Sequence, residues 1–188
     1  MAFDLQFIGG TGTVTGSKYL LTHGTKKILI DCGLFQGRRQ LSAEKNATFA
    51  FDPAKDIDAM ILSHAHMDHV GRVPVLWKRG YRGPVHCTYA TKDLAEVMLA
   101  DGGYIQEKDE EFYCKHLSKS MMKCDGPLYT QKDAMACMEL FQGKNYKAKA
   151  EQSKVFMQGK SPEPQVYPES WLGVFSFNKG EEMKGVLA

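Results

Sequence analysis

Apolar and polar positions alternate over Phe3-Asp4-Leu5-Gln6-Phe7, the period-two pattern of a half-buried strand. The Gly9–Gly16 stretch that follows is rich in glycine and threonine and reads as a tight turn between strands, since glycine reaches backbone angles that other residues avoid. Ser17 to Thr22 and Lys26 to Asp31 form two strand-like runs around His23-Gly24-Thr25, a hairpin pattern. A short helix is expected around Leu41 to Asn46. Ile57 to Leu62 is a short apolar run that fits a buried strand, and Val85 to Thr88 is a brief strand after Gly83-Pro84. Val70 to Arg79 reads as a helix, with Pro74 in an early turn and Gly80 as its stop. Thr91 is the expected cap of a longer helix whose Leu94, Val97 and Met98 have core spacing. Thr130-Gln131-Lys132-Asp133 looks like a capping box opening a helix to about Phe141. Strands followed by strands, then alternating with helices, predict an α/β layered domain.

From about Gly143 the pattern lapses. The tail is lysine-rich at first, carries Pro162, Pro164 and Pro168, and has apolar clusters only at Val155-Phe156-Met157 and from Trp171 to Phe177. The expectation is an ordered region over 1–141 and a divergent, irregular C-terminal tail over 142–188.

Composition narrows the class only coarsely. Of 188 residues, 43% are hydrophobic and 24% charged, ordinary for a soluble globular protein, and no run approaches the ~20 apolar residues of a membrane span. Asp4 stands where a signal peptide would be basic, so a cytoplasmic protein is expected. The five cysteines, Cys32, Cys87, Cys114, Cys124 and Cys137, are scattered, and reduced thiols packed in the core are expected. A net charge of +2 does not by itself argue for nucleic acid.

Candidate chemistry is concentrated in one place. Three of the six histidines fall within His64-Ala65-His66-Met67-Asp68-His69, directly after the apolar run ending at Leu62. Residues two apart on an extended segment share a side, so His64 and His66 can grip one ion; Asp68 and His69 lie where the chain turns into a helix and can face a second. Imidazole and carboxylate donors suit zinc, and also manganese or iron. Two such ions would activate a water and stabilise charge during hydrolysis, with Asp68 placed to take the proton. The competing reading is a polar loop whose histidines only cap a helix or face solvent.

Ser63 to Gly71 resembles the His-x-His-x-Asp-His signature of metallo-β-lactamase-fold hydrolases. Phe7 to Ser17, Leu29 to Gly37 and Pro127 to Thr130 are similar to the β-CASP branch of that family, which contains RNA-processing nucleases. The resemblance covers roughly residues 3 to 141. It implies the first half of an αββα sandwich and a zinc-dependent phosphodiesterase acting on RNA. It assigns His64 and His66 to a first zinc, Asp68 and His69 to a second and to catalysis, and Asp31 to a supporting position behind them. It also places the Gly9–Gly16 loop near the active site.

The resemblance also implies ligands that are missing from their places. Its later histidines would follow Phe141, yet His116 is the last histidine of the chain. Two protein ligands per ion is fewer than the three usual at catalytic zinc. The expectation is therefore a truncated or divergent member: a fragment of an interrupted gene, a sequence in another reading frame after the break, or one half of an assembly with a complementing chain or another copy of itself. Two alternatives stay open: a non-catalytic RNA-binding or assembly module, and a metallo-hydrolase of another ester, thioester or lactam.

Weaker candidates are His86-Cys87 at a strand end, a separate soft-ligand site at Cys114, His116 and Cys124, and His23 facing solvent in its hairpin turn. Arg38, Arg39, Arg72, Lys78, Arg79 and Arg82 are candidate phosphate contacts, against a default of solvated surface. Tyr81, Tyr89 and Tyr104 are candidate base-stacking residues, against a default of core packing, and Met121-Met122 is read as core filler.

Overall fold

The computed structural model describes residues 2–116 and 126–144. The fold belongs to the first of two units, residues 1–142. Its mixed sheet has six strands in the order β1-β2-β3-β4-β5-β6. β1 (Phe3–Gly9), β2 (Lys18–His23) and β3 (Lys26–Ile30) form an antiparallel meander. His23 pairs with Lys26, so Gly24-Thr25 is a two-residue turn, with Gly24 at φ +60°.

The chain then crosses over through α1 (Arg39–Ala47) to β4 (Ala59–Ile61), parallel to β3, and on to β5 (Val85–Thr88), parallel to β4. β6 (Phe141–Lys144) is the sixth strand in the order.

The core forms where these strands align. Leu29, Met60 and Val85 stand in register across β3, β4 and β5, and none is exposed. Val70, Val73 and Leu76, from α2 (Met67–Val70) and α3 (Val73–Lys78), are fully buried in the same cluster. α4 (Tyr89–His116) packs on α5 (Gln131–Cys137), and Gly103 lets them meet: a Cβ there would lie 2.6 Å from the Gln131 nitrogen.

The α/β class stands, with several local corrections. The expected helix Val70–Arg79 is two short helices. Pro74 has no N–H for a Val70 carbonyl, so a continuous helix cannot run through it. The chain breaks at Gly71-Arg72, and the Arg72 N–H bonds to the Cys32 carbonyl at 2.8 Å. At the start of α4 it is Thr88 that caps, its Oγ1 accepting the Thr91 N–H at 3.1 Å. The buried stripe of α4 is Thr91, Ala95, Leu99 and Gly103; Leu94 and Val97 face outward. Small residues won because the neighbouring helix approaches closely. β1 forms, but Phe3, Leu5 and Phe7 are 45–63% exposed rather than half-buried. α5 keeps its capping box, then tightens into a 3-10 turn (Met138–Leu140) before β6. Val155-Phe156-Met157, Trp171 to Phe177, the three tail prolines and Met121-Met122 lie outside the described residues.

Candidate metal centre

The parallel strands β3 and β4 end side by side, and the candidate residues gather just beyond their carboxyl ends, where α/β sheets build sites. Asp31 follows β3 with φ +57°, the one non-glycine at positive φ among the described residues. Aspartate tolerates this left-handed geometry better than most residues, at a cost of about 1 kcal/mol or more. The turn aims a 3%-exposed carboxylate across to the end of β4. There Oδ1 accepts the Ser63 N–H at 2.8 Å, and Oδ2 accepts both the Ser63 hydroxyl and a proton from His69 Nδ1, each at 2.8 Å.

Ser63 Oγ also lies 2.9 Å from His64 Nδ1. A hydroxyl has one proton, and the carboxylate takes it, so His64 Nδ1 must be the donor to Ser63. The network therefore assigns the Nδ1–H tautomer to both His64 and His69 and leaves both Nε2 lone pairs free. Hydrogen bonding of one ring nitrogen to fix the other is the arrangement found behind metal-ligating histidines. No periodicity in the sequence marks Ser63, a serine whose part is to tie one carboxylate to two rings.

The segment from His66 to His69 is held by its backbone. His66 is the N-cap of α2 in extended conformation, and its carbonyl accepts the N–H groups of His69 and Val70. The carbonyls of Met67, Asp68 and His69 accept N–H groups from Leu34, Ser17 and Cys32 at 2.7–2.9 Å. Gly33 sits directly against the Asp68 carbonyl, where any Cβ would collide with it. The Gly9–Gly16 loop is therefore beside the site, joined through Ser17, as the resemblance implied.

The rings of His64 and His69 lie 4.0 Å apart between centroids and those of His64 and His66 4.6 Å, while His69 Nε2 is 3.7 Å from Asp68 Oδ2. Burial pushes the His64 pKa down, assisted by the neighbouring imidazoles. Burial also works against charge on His69, but the Asp31 hydrogen bond and the Asp31 and Asp68 charges outweigh it and raise its pKa. The structure thus brings His64, His66, Asp68, His69 and Asp31 to one place. Their donor chemistry suits zinc, but as placed they do not form a cage: among the described residues, no group of three or more His, Cys, Asp or Glu side chains is arranged to hold an ion.

Other candidates lie elsewhere. His23 is exposed and stacks on Phe3 at 4.3 Å. His116 is exposed at the end of α4, with Nδ1 2.8 Å from the Phe112 carbonyl oxygen. Cys32, Cys87 and Cys137 are buried, reduced thiols, as expected. Cys114 is disulfide-bonded, which corrects the expectation of five reduced thiols and removes it as a soft ligand. Tyr81 is in the core, its hydroxyl donating to the Pro84 carbonyl, whereas Tyr89 and Tyr104 are about half exposed. Arg72 is no surface phosphate contact. It is 1% exposed, donates to the Thr48 carbonyl and lies 3.9 Å over the Phe49 ring.

Residues 11–102, which include the histidine cluster, match the family model of the metallo-β-lactamase superfamily. The chain is 49% identical over 105 residues to ribonuclease TTHA0252 of Thermus thermophilus, covering 56% of this chain and 23% of that protein. It is 42% identical over 94 residues to the transcription termination factor FttA of Methanosarcina mazei, covering 50% of this chain and 15% of that protein. It is 32% identical over 133 residues to the cleavage and polyadenylation specificity factor subunit 3-II of Arabidopsis thaliana, covering 65% and 21%. The chain spans about a fifth of the length of these relatives. Among the described residues no helix is long and apolar enough to cross a membrane.

Proposed function

Residues 11–102 are a metallo-β-lactamase superfamily segment, and from that premise we propose that this chain supplies half of the metal site of a zinc-dependent RNA phosphodiesterase. His64 and His66 would contribute to one zinc, and Asp68 and His69 to the other. The observation that carries this is the Asp31–Ser63 array, which orients His64 and His69 in the tautomer a metal ligand needs. Bound zinc supplies Lewis acidity and a water of lowered pKa. The chain's own residues do the positioning. Asp31 fixes the His69 ring, Ser63 passes that constraint to His64, and Gly33 with Ser17 holds the Asp68 backbone in place. RNA is the proposed substrate because the matched relatives are named as a ribonuclease, a termination factor and a cleavage and polyadenylation factor subunit.

The test measures zinc content and cleavage of single-stranded RNA with and without chelator, beside a His66→Ala, Asp68→Ala double variant. The proposal expects zinc in the parent protein, its loss in the variant, and chelator-sensitive cleavage. Zinc content equal in both proteins contradicts it. A second reading is an RNA-binding module that does not cleave. RNA retention indifferent to chelator, with no cleavage, would select it.

A further inference from the structure

A cavity of about 380 Å³ opens between the β1–β2 loop and the segment after α1. Its wall includes Thr13, Lys18, Phe35, Lys45, Phe49 and Phe51. Lys18 is the informative residue. It is 91% buried (9% exposed), and no carboxylate among the described residues pairs with its ammonium. A buried, uncompensated cation is costly, and burial pushes this pKa down, with the nearby Arg72 guanidinium also acting against the charge. An anion is therefore what the site lacks.

Lys45 stands on the same wall, its Nζ 4.0 Å over the Phe35 ring. Phe49 and Phe51 lie 5.4 Å apart between centroids. Flat aromatic surfaces beside cations match the two halves of a nucleotide: rings stack on a base, while ammonium groups take its phosphate. The cavity also adjoins the histidine cluster, because Ser17, between wall residues Gly16 and Lys18, bonds to the Asp68 carbonyl.

We infer that this cavity is a nucleotide-binding subsite, in which Lys18 and Lys45 hold a phosphate of a single-stranded RNA and the Phe35, Phe49 and Phe51 rings receive its base. The inference deepens the proposed RNA reading and rests on it for the identity of the polymer. It requires no metal.

The experiment is fluorescence anisotropy of a labelled single-stranded oligoadenylate against the purified chain in chelator, over a range of salt. Lys18→Met keeps the length of the side chain and removes the buried charge; Lys45→Ala alters an exposed residue and so tests the same cavity if the first variant misfolds. Each is expected to weaken binding by about tenfold and to lower the slope of log affinity against log salt by about one. Adenosine monophosphate should displace the probe from the parent protein far better than inorganic phosphate does. Unchanged affinity and slope in folded variants would overturn the subsite, as would inorganic phosphate competing equally well. The two proposals separate cleanly. A parent protein without RNA affinity refutes the RNA reading itself, whereas a parent that binds as tightly as its cavity variants refutes the subsite alone.

Discussion

Asp31 and His69, 38 residues apart in the chain, are joined by a 2.8 Å hydrogen bond between a buried carboxylate oxygen and Nδ1. This contact links the end of β3 to the helix after β4, and it decides which nitrogen of His69 remains available. The candidate site is organised around it.

Replacing Asp31 with asparagine keeps the volume but converts an acceptor-only group into one with an amide. Ser63 Oγ and His69 Nδ1 both donate to Oδ2, so an amide nitrogen there deprives both of their acceptor, while one in place of Oδ1 deprives the Ser63 N–H instead. Folding stability should fall by about 1–3 kcal/mol in urea titrations. Zinc affinity should fall about 10- to 100-fold by calorimetry, as for other partners of ligand histidines. Equal zinc affinity in the two proteins would show that Asp31 does not act through His69.

Gly33 and Gly12 make a matched pair of alanine substitutions. At Gly33 the new Cβ meets the Asp68 backbone, which cannot move without breaking the Ser17 contact. At Gly12, φ +69°, nothing lies within 4 Å, so only backbone strain is added. Gly33→Ala should cost about 3 kcal/mol or more and Gly12→Ala about 1 kcal/mol, read from urea midpoints. The reverse order would mean the 31–34 segment does not sit on Asp68 as described.

Acid stability tests the second half of the described chain. Burial raises the Asp133 pKa, but hydrogen bonds from the Thr130 backbone and hydroxyl and from Lys78 outweigh it and hold the carboxylate below its ordinary range. A depressed folded-state pKa contributes stability that is present above the unfolded value, roughly pH 4, and is lost as pH falls through the folded value. Asp133→Asn should therefore lose stability at neutral pH and fall less steeply below pH 4. Thr130→Ala, which removes the cap, should cost about 1 kcal/mol at neutral pH. Parallel acid profiles for the parent and Asp133→Asn would contradict the capping-box account.

Arg72 separates structural from RNA-directed cations. Its side chain fills space against Phe49 and bonds Thr48, so Arg72→Ala should cost about 2–4 kcal/mol through lost packing. The salt slope of RNA binding in the folded fraction should not change. A slope that drops by one on this substitution would place Arg72 on RNA instead.

Much of this architecture was legible in the residues because local signals agreed with the fold. The Gly24-Thr25 turn, the Thr130 capping box, the strand at Val85 and the histidine run each follow from short-range chemistry. The misreadings share a different cause. Leu94 and Val97 have good helical spacing, but the face of α4 that is buried was set by how closely α5 approaches, which favours Ala95 and Gly103. Phe3, Leu5 and Phe7 alternate correctly, yet alternation cannot say whether another layer covers the strand. Ser63 and Lys18 carry no local signal, and Arg72 reads as a surface cation, because their roles depend on partners distant in sequence: Asp31, the cavity wall and Phe49.

The most direct test of the proposed metal site is the response of the histidine ring resonances to zinc, followed by NMR. The account predicts that the signals of His64, His66 and His69 shift or broaden together as zinc is added. Those of His23 and His116 should stay in place, and the response should vanish in the His66→Ala, Asp68→Ala variant. Zinc that leaves the three clustered rings unchanged, or that moves His23 and His116 equally, would contradict it.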